Sequence, residues 1–428
     1  MQNSNVKTRL IVLSFLQFAV WGAYLTSMGR YLGNAGMGSD IGWFYSVQGI
    51  VSIFMPALIG IIADRWVPAQ RMLSFCHAVA AVFMGITGYI GMTKGADVVF
   101  GDLFWTYTIS VAFYMPTLAL SNSVSYSVLN QAGLDTVKAF PPIRVFGTVG
   151  FIVSMWIVDL SGWQTTSLQF LWSGILSVIL ALYSLTMPKC ETNANKSTGN
   201  IAQVLGLEAF KLFKNYRMAL FFIFSMLLGC CLQITNGYAG PFLQSFGINE
   251  IYQGTFGVEH SNILISLSQM SETLCILLIP FCLSRFGIKK VMLMSMLAWA
   301  LRFGFFAIGN PGDGVWLLVL SMIVYGIAFD FFNISGSLFV DKETDISIRN
   351  SAQGVFMMMT NGFGASLGMI VAGWVMNMYT VNENGLMIDK AGTGGWQEAW
   401  TIFAVYALVV AIMFALLFRY KHVTEKTN

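Results

Sequence analysis

The sequence predicts an all-α membrane protein with twelve transmembrane helices in two six-helix halves. Three observations lead there. The 428 residues are 56% hydrophobic and only 10% charged, with a mean hydropathy of +0.68, whereas a soluble globular chain is about 25% charged. A hydrocarbon core of about 30 Å is crossed by about 20 apolar residues in a helix, and twelve such runs occur. A polar stretch, Lys189–Asn200, falls near the middle and reads as a flexible linker with six runs on either side.

The runs of the first half are Leu10–Met28, Ile41–Ile62, Met72–Met92, Phe104–Tyr126, Ile143–Leu160 and Leu168–Leu185. Lys7 and Arg9 give the first the outline of a leader peptide. It is long, however, holds Gln17 and Trp21 and lacks a small-residue cleavage site, so it reads as a helix. After the polar stretch, Ile201–Asn215 sets Ile201, Val204, Leu205, Phe210 and Phe213 among Glu208, Lys211 and Lys214, a pattern suited to a helix lying in the membrane interface. The second half continues with Met218–Phe242, Ile263–Phe281, Val291–Ile308, Trp316–Val340, Ser351–Met378 and Trp400–Phe418. The expected domains are therefore 1–188, a cytoplasmic linker with interfacial helix at 189–215, and 216–428. Eighteen of the 23 Lys and Arg fall on the side of the termini, which the positive-inside rule makes cytoplasmic. That asymmetry accounts for the net charge of +3, and no nucleic-acid partner is expected. Pro56, Pro116, Pro241 and Pro280 lie inside runs or near their ends, where each permits a bend.

The halves echo each other. The loop after the second run, Gly60-Ile-Ile-Ala-Asp64-Arg65, resembles that after the eighth, Ser284-Arg285-Phe-Gly287-Ile-Lys289-Lys290; Arg65 and Arg285 are 220 residues apart. A fainter echo pairs Ala112-Phe113-Tyr114 with Ala328-Phe329-Asp330. Two parallel six-helix repeats are the organisation of transporters whose substrate site lies between the halves near the midplane.

Asp330 sits in Trp316–Val340, which carries no other charge. An ionised carboxylate there costs roughly 2.5–3.5 kcal/mol on insertion scales, so it reads as functional. Other polar groups cluster at helical spacing: Arg144, Thr148 and Phe151; Gln233 and Asn236; Gln269 and Glu272; Tyr325 and Phe329, with Asp330 and Asn333. Residues three and four apart share a helix face. Carboxamides pair with a base edge, aromatic rings stack on a flat ring, and Thr, Asn and carboxylate hold hydroxyls. The set suits a neutral, flat, hydroxylated solute. Burial disfavours the charged form of an acid, so Glu272 and Asp330 could each take up a proton outside and release it inside. About 100 mV gives ~2.3 kcal/mol per charge and one pH unit ~1.4, together ~3.7 kcal/mol or roughly several hundred-fold accumulation. Arg144 offsets an acid, binds substrate or does both, and Arg302, nearer the outer end, is expected to snorkel. The six cysteines form no Cys-x-x-Cys pair, so neither disulfides nor a metal site are expected. The three histidines, His77, His260 and His422, fall near run ends or in the tail, which argues against a histidine relay at the midplane.

At these residues the chain resembles the nucleoside and proton symporters of the major facilitator superfamily. Nearly the whole chain carries the likeness, through Leu13-Ser-Phe-Leu-Gln17-Phe, Phe54-Met-Pro56-Ala-Leu, Tyr114-Met-Pro-Thr-Leu, Phe140-Pro-Pro-Ile-Arg144, Phe222-Ile-Phe-Ser-Met-Leu-Leu-Gly229, Leu232-Gln-Ile-Thr-Asn236, Ser268-Gln-Met-Ser-Glu272-Thr and Phe329-Asp-Phe-Phe-Asn-Ile-Ser-Gly336. The resemblance implies a nucleoside held by Arg144, Thr148, Phe151, Gln233, Asn236, Gln269, Glu272, Tyr325 and Phe329, with Glu272 and Asp330 linking proton to substrate. It implies a functional monomer in a bacterial inner membrane, with nucleoside, proton and lipid bilayer as partners and no cofactor. Cys230-Cys231, Val67 and Ser284 depart from the pattern. The competing transporter reading is a proton-coupled sugar or small-glycoside permease, disfavoured by the carboxamide pairs. A membrane enzyme would want a nucleophile and base or metal ligands near an interface, and the sequence offers no His cluster there.

Overall fold

Backbone N–H and C=O groups in hydrocarbon must be bonded within their own segment, which leaves helices as the solution for apolar runs of this length. The computed structural model describes residues 3–192, 207–345, 348–390, 392 and 394–420, and these contain helices and connecting turns but no strand. The chain divides into two compact units, Met1–Gly199 and Asn200–Asn428.

Unit one contains α1 (Asn3–Gly22), α2 (Ile41–Arg65), α3 (Ala69–Lys94), α4 (Phe100–Gln131), α5 (Thr136–Leu160) and α6 (Leu168–Leu185). Within it α1 packs on α5, α2 on α4, and α3 on both α4 and α6. Leu10, Leu73, Val124 and Leu180 meet in its core. Unit two contains α7 (Tyr216–Gly229), α8 (Ile234–Ser245), α9 (Ser261–Ile276), α10 (Ile279–Phe286), α11 (Ile288–Ile308), α12 (Val315–Glu343), α13 (Arg349–Met357), α14 (Ala365–Tyr379) and α15 (Gly395–Leu417). Here α11 packs on α12 and α15, and α9 on α12. The ring of Phe306 stacks on Trp400 at 4.7 Å, and Trp400 lies 6.0 Å from Phe303, closing the α8, α11 and α15 corner.

Among the described residues, ten segments are long and apolar enough to cross a membrane, and eleven if the pair α9 and α10, bent by 55°, is one span. The polar first turns of α1 hold it below that threshold, although Leu10–Gly22 supplies its apolar part. Four local features differ from straight expected spans. The seventh run is broken: α7 stops at Gly229, and four turn residues precede α8. The eighth bends just before Pro280, one of the prolines expected to permit a bend. The eleventh contains a π turn, Met358–Gly364, between α13 and α14. His77 is no end-of-helix residue: α3 begins at Ala69, so His77 lies more than two turns in and is fully buried. Of the expected interfacial helix, residues 201–206 lie outside the described residues, as do 193–200 of the linker before it, and Leu207–Lys214 forms a 3-10 helix.

Candidate functional site

In unit one the site residues sit on α5, and α5 is drawn onto α1 by glycine. A Cβ on Gly22 would collide with the carbonyl oxygen of Phe151, and one on Gly150 with that of Phe15. Small residues of this kind let helix backbones touch. The contact sets Arg144, Thr148 and Phe151 beside α1: the Arg144 guanidinium lies 3.8 Å from the ring centroid of Phe18, and Phe151 meets Trp21 edge-on at 6.2 Å. Phe151 is buried, whereas Arg144 and Thr148 are half-buried. A cation–π contact of this kind draws the guanidinium onto the ring face.

Behind this face lies a polar network that the sequence reading missed. His77 is 2.9 Å from Ser177 Oγ through Nδ1 and 2.9 Å from Gln17 Oε1 through Nε2. Gln17 Nε2 donates to Thr117 Oγ1 at 2.7 Å, and the Tyr114 hydroxyl donates to the Gln17 carbonyl at 2.8 Å. Four helices are thereby tied together by polar groups, each bonded to another.

In unit two the break between α7 and α8 positions the carboxamides. Gly229 lies against the Thr360 backbone, where a Cβ would collide, and the chain turns through Cys231 and Leu232 with bonds to Leu228 and Gly229 carbonyls. Gln233 then occupies the N-cap position of α8, and Asn236 Nδ2 donates to Gln233 Oε1 at 2.8 Å. Both are half-buried. Discontinuous helices at membrane depth are tolerated where they line a cavity or are buried in protein.

On α9, Gln269 is buried and Glu272 half-buried. On α12, Tyr325 and Phe329 stack at 5.7 Å with rings 16° apart, and Asp330 is 6% exposed. Helices α9 and α12 approach closely at Gly326, whose Cβ would strike the Ser271 carbonyl. Tyr325 is consequently within electrostatic reach of Glu272, Asp330 and Arg302, while Asp330 also reaches the Cys275 thiol. The structure thus groups Gln269, Glu272, Tyr325, Phe329 and Asp330 on α9 and α12, with Gln233 and Asn236 at the helix break.

Arg302 overturns its expected role. It is 2% exposed, so its head does not snorkel. Its guanidinium donates to the Ser321 carbonyl at 2.8 Å, Thr235 Oγ1 at 3.0 Å and Ser268 Oγ at 3.3 Å, and lies 4.5 Å from the ring centroid of Tyr325. The signal that could have found it is the set of Ser and Thr on three other helices, two of them next to predicted site residues.

A family model described as the nucleoside H+ symporter matches residues 4–423. The chain is 50% identical over 425 residues to a xanthosine permease of Escherichia coli K12, covering 99% of this chain and 98% of that protein. It is 49% identical over 427 residues to the nucleoside permease NupG of the same organism, with the same coverage. A crystal structure of nucleoside transporter NupG superimposes with a TM-score of 0.87 at 48% identity, covering 97% of this chain and 100% of that one.

Proposed function

Because the chain belongs to the nucleoside H+ symporter family, we propose that it takes up nucleosides across a bacterial inner membrane through Arg144, Thr148, Phe151, Gln233, Asn236, Gln269, Glu272, Tyr325 and Phe329. It is a proton-coupled nucleoside transporter of the major facilitator fold, a multi-pass membrane protein and not an enzyme. The proton is carried on Glu272 and Asp330, both termini are cytoplasmic, and the working unit is a monomer.

The observation that carries this reading is Tyr325: its ring forms a shelf with Phe329 and stands within electrostatic reach of both acids. A flat base stacked there is coupled to the charge state beside it. With the acids neutral the shelf accepts a polar, uncharged solute; on the inner side, loss of the proton restores a carboxylate and favours release. Uptake therefore rises as the outer compartment is acidified, and it stops when the gradient is dissipated.

The test is accumulation of labelled uridine, adenosine and xanthosine in proteoliposomes with the outside acidic, with and without a protonophore. Accumulation that collapses with the protonophore supports the proposal. Uptake indifferent to pH would remove the proton from the mechanism. Competition by sugars, with no nucleoside uptake, would replace the substrate.

A further inference from the structure

A permanent cation buried in a bilayer-spanning bundle is expensive unless its donors are met, and an arginine presents five N–H groups in a rigid plane. Arg302 meets part of that demand with neutral oxygens from other helices: the Ser321 carbonyl on α12 and Ser268 Oγ on α9 accept from one terminal nitrogen and Thr235 Oγ1 on α8 from the other, while Nε has no partner among the described residues. Ser321 Oγ returns a hydrogen bond to the Arg302 carbonyl at 3.0 Å, so α11 and α12 are fastened in both directions. The acceptors are neighbours of recognition residues. Thr235 lies between Gln233 and Asn236, Ser268 immediately precedes Gln269, and Ser321 is one turn before Tyr325, whose ring also takes the guanidinium on its face at 4.5 Å. The charged groups around that ring are Arg302 itself, Glu272 and Asp330.

We propose that Arg302 is the positioning residue for nucleoside recognition in the second half: one buried fork sets the α8 carboxamides, Gln269 and the Tyr325 shelf in a common register. The proposal rests on the reading of those residues as nucleoside ligands. Arg302 itself touches no substrate. A planar fork reaches three acceptors at fixed angles, whereas the ammonium of a lysine is a point charge that cannot reproduce them.

The test measures KM and Vmax for uridine in proteoliposomes with an acidic exterior, for wild type, Arg302→Lys, Thr235→Val and Ser268→Ala. Arg302→Lys raises KM about tenfold, the scale of a lost hydrogen bond to a charged group, with Vmax within about twofold. Thr235→Val and Ser268→Ala, which leave the arginine in place and keep the proposal testable where the lysine variant does not fold, each raise KM about threefold. A purely structural role does not predict the next result: combined with Gln233→Ala, Thr235→Val adds nothing further to KM, because its effect passes through that carboxamide. An unchanged KM in every folded variant, or full additivity with Gln233→Ala, overturns the proposal. Absence of saturable nucleoside uptake by wild type, by contrast, takes down the substrate reading beneath it, and the proposal with it.

Discussion

The two units share a backbone device and fill it differently. In unit one the first helix ends at Gly22 and a short helix resumes at Met28; in unit two α7 ends at Gly229 and α8 resumes at Ile234. Each terminal glycine lies against a backbone carbonyl, Phe151 in one case and Thr360 in the other. Behind the first break stands the hydrogen-bonded set of Gln17, His77, Thr117 and Ser177. Behind the second stands a permanent cation, Arg302, with Glu272 and Asp330 in electrostatic reach of the same tyrosine. At the echoed position of α4 and α12, one unit has Tyr114 donating to a carbonyl and the other has Asp330. A repeated scaffold thus places a hydrogen-bonded set of polar side chains behind the break in one copy, and a buried arginine with two acids nearby behind the break in the other.

Substitution at the echoed pair breaks this contrast most sharply. Asp330→Asn abolishes gradient-driven accumulation, which falls from roughly several hundred-fold to equilibration. Tyr114→Phe leaves accumulation intact. Labelled uridine in acid-outside proteoliposomes reads both. The second comparison concerns His77. Replacing it with Leu leaves Gln17 and Ser177 facing a group that cannot bond, for a stability loss of about 2–4 kcal/mol in detergent unfolding titrations, while the pH dependence of uptake by the folded fraction stays that of wild type. A shift of the pH profile in this variant would erase the distinction between the units.

Matched overpacking tests the shared device. Gly22→Ala and Gly229→Ala each press a methyl group onto backbone and each lowers stability by about 1–3 kcal/mol. Loss at only one site would show that the two contacts are not equivalent. The smallest effect belongs to the ion pair of Arg217 and Glu343, 3.1 Å apart with Arg217 half exposed. Arg217→Ala changes unfolding by less than about 1 kcal/mol, and added salt erases most of that difference.

What was legible in the sequence is what composition and period encode. Hydropathy marks spans because the bilayer demands apolar length, and spacing at three and four marks shared faces; hence Gln233 with Asn236 and Tyr325 with Phe329. The bend at α9 and α10 was also within reach, since Pro280 stands just beyond it. The break after Gly229 was not: Cys230-Cys231-Leu232 holds no proline and no charge, and the helix stops where its backbone meets Thr360 of a segment more than a hundred residues away. Arg302 was misread for the same reason. Counting from the end of its run suggests an outer position, but its burial depends on Thr235, Ser268 and Ser321 arriving from three other helices. His77 was misplaced by a smaller error, a helix start three residues too late at Met72, while its partners Gln17 and Ser177 lie sixty and a hundred residues away.

The π turn at Met358–Gly364 gives the eleventh span a property that no straight helical wheel can describe. Bonding from i to i+5 inserts an extra residue, and each residue of an α-helix advances by about 100°, so α14 runs out of phase with α13 by about that angle. One continuous span can thereby address two neighbours in different directions. On α13, Gln353 donates to the Ser337 carbonyl of α12 at 2.7 Å, while beyond the phase change Gly368 of α14 lies against the backbone of Cys230 at the α7 break.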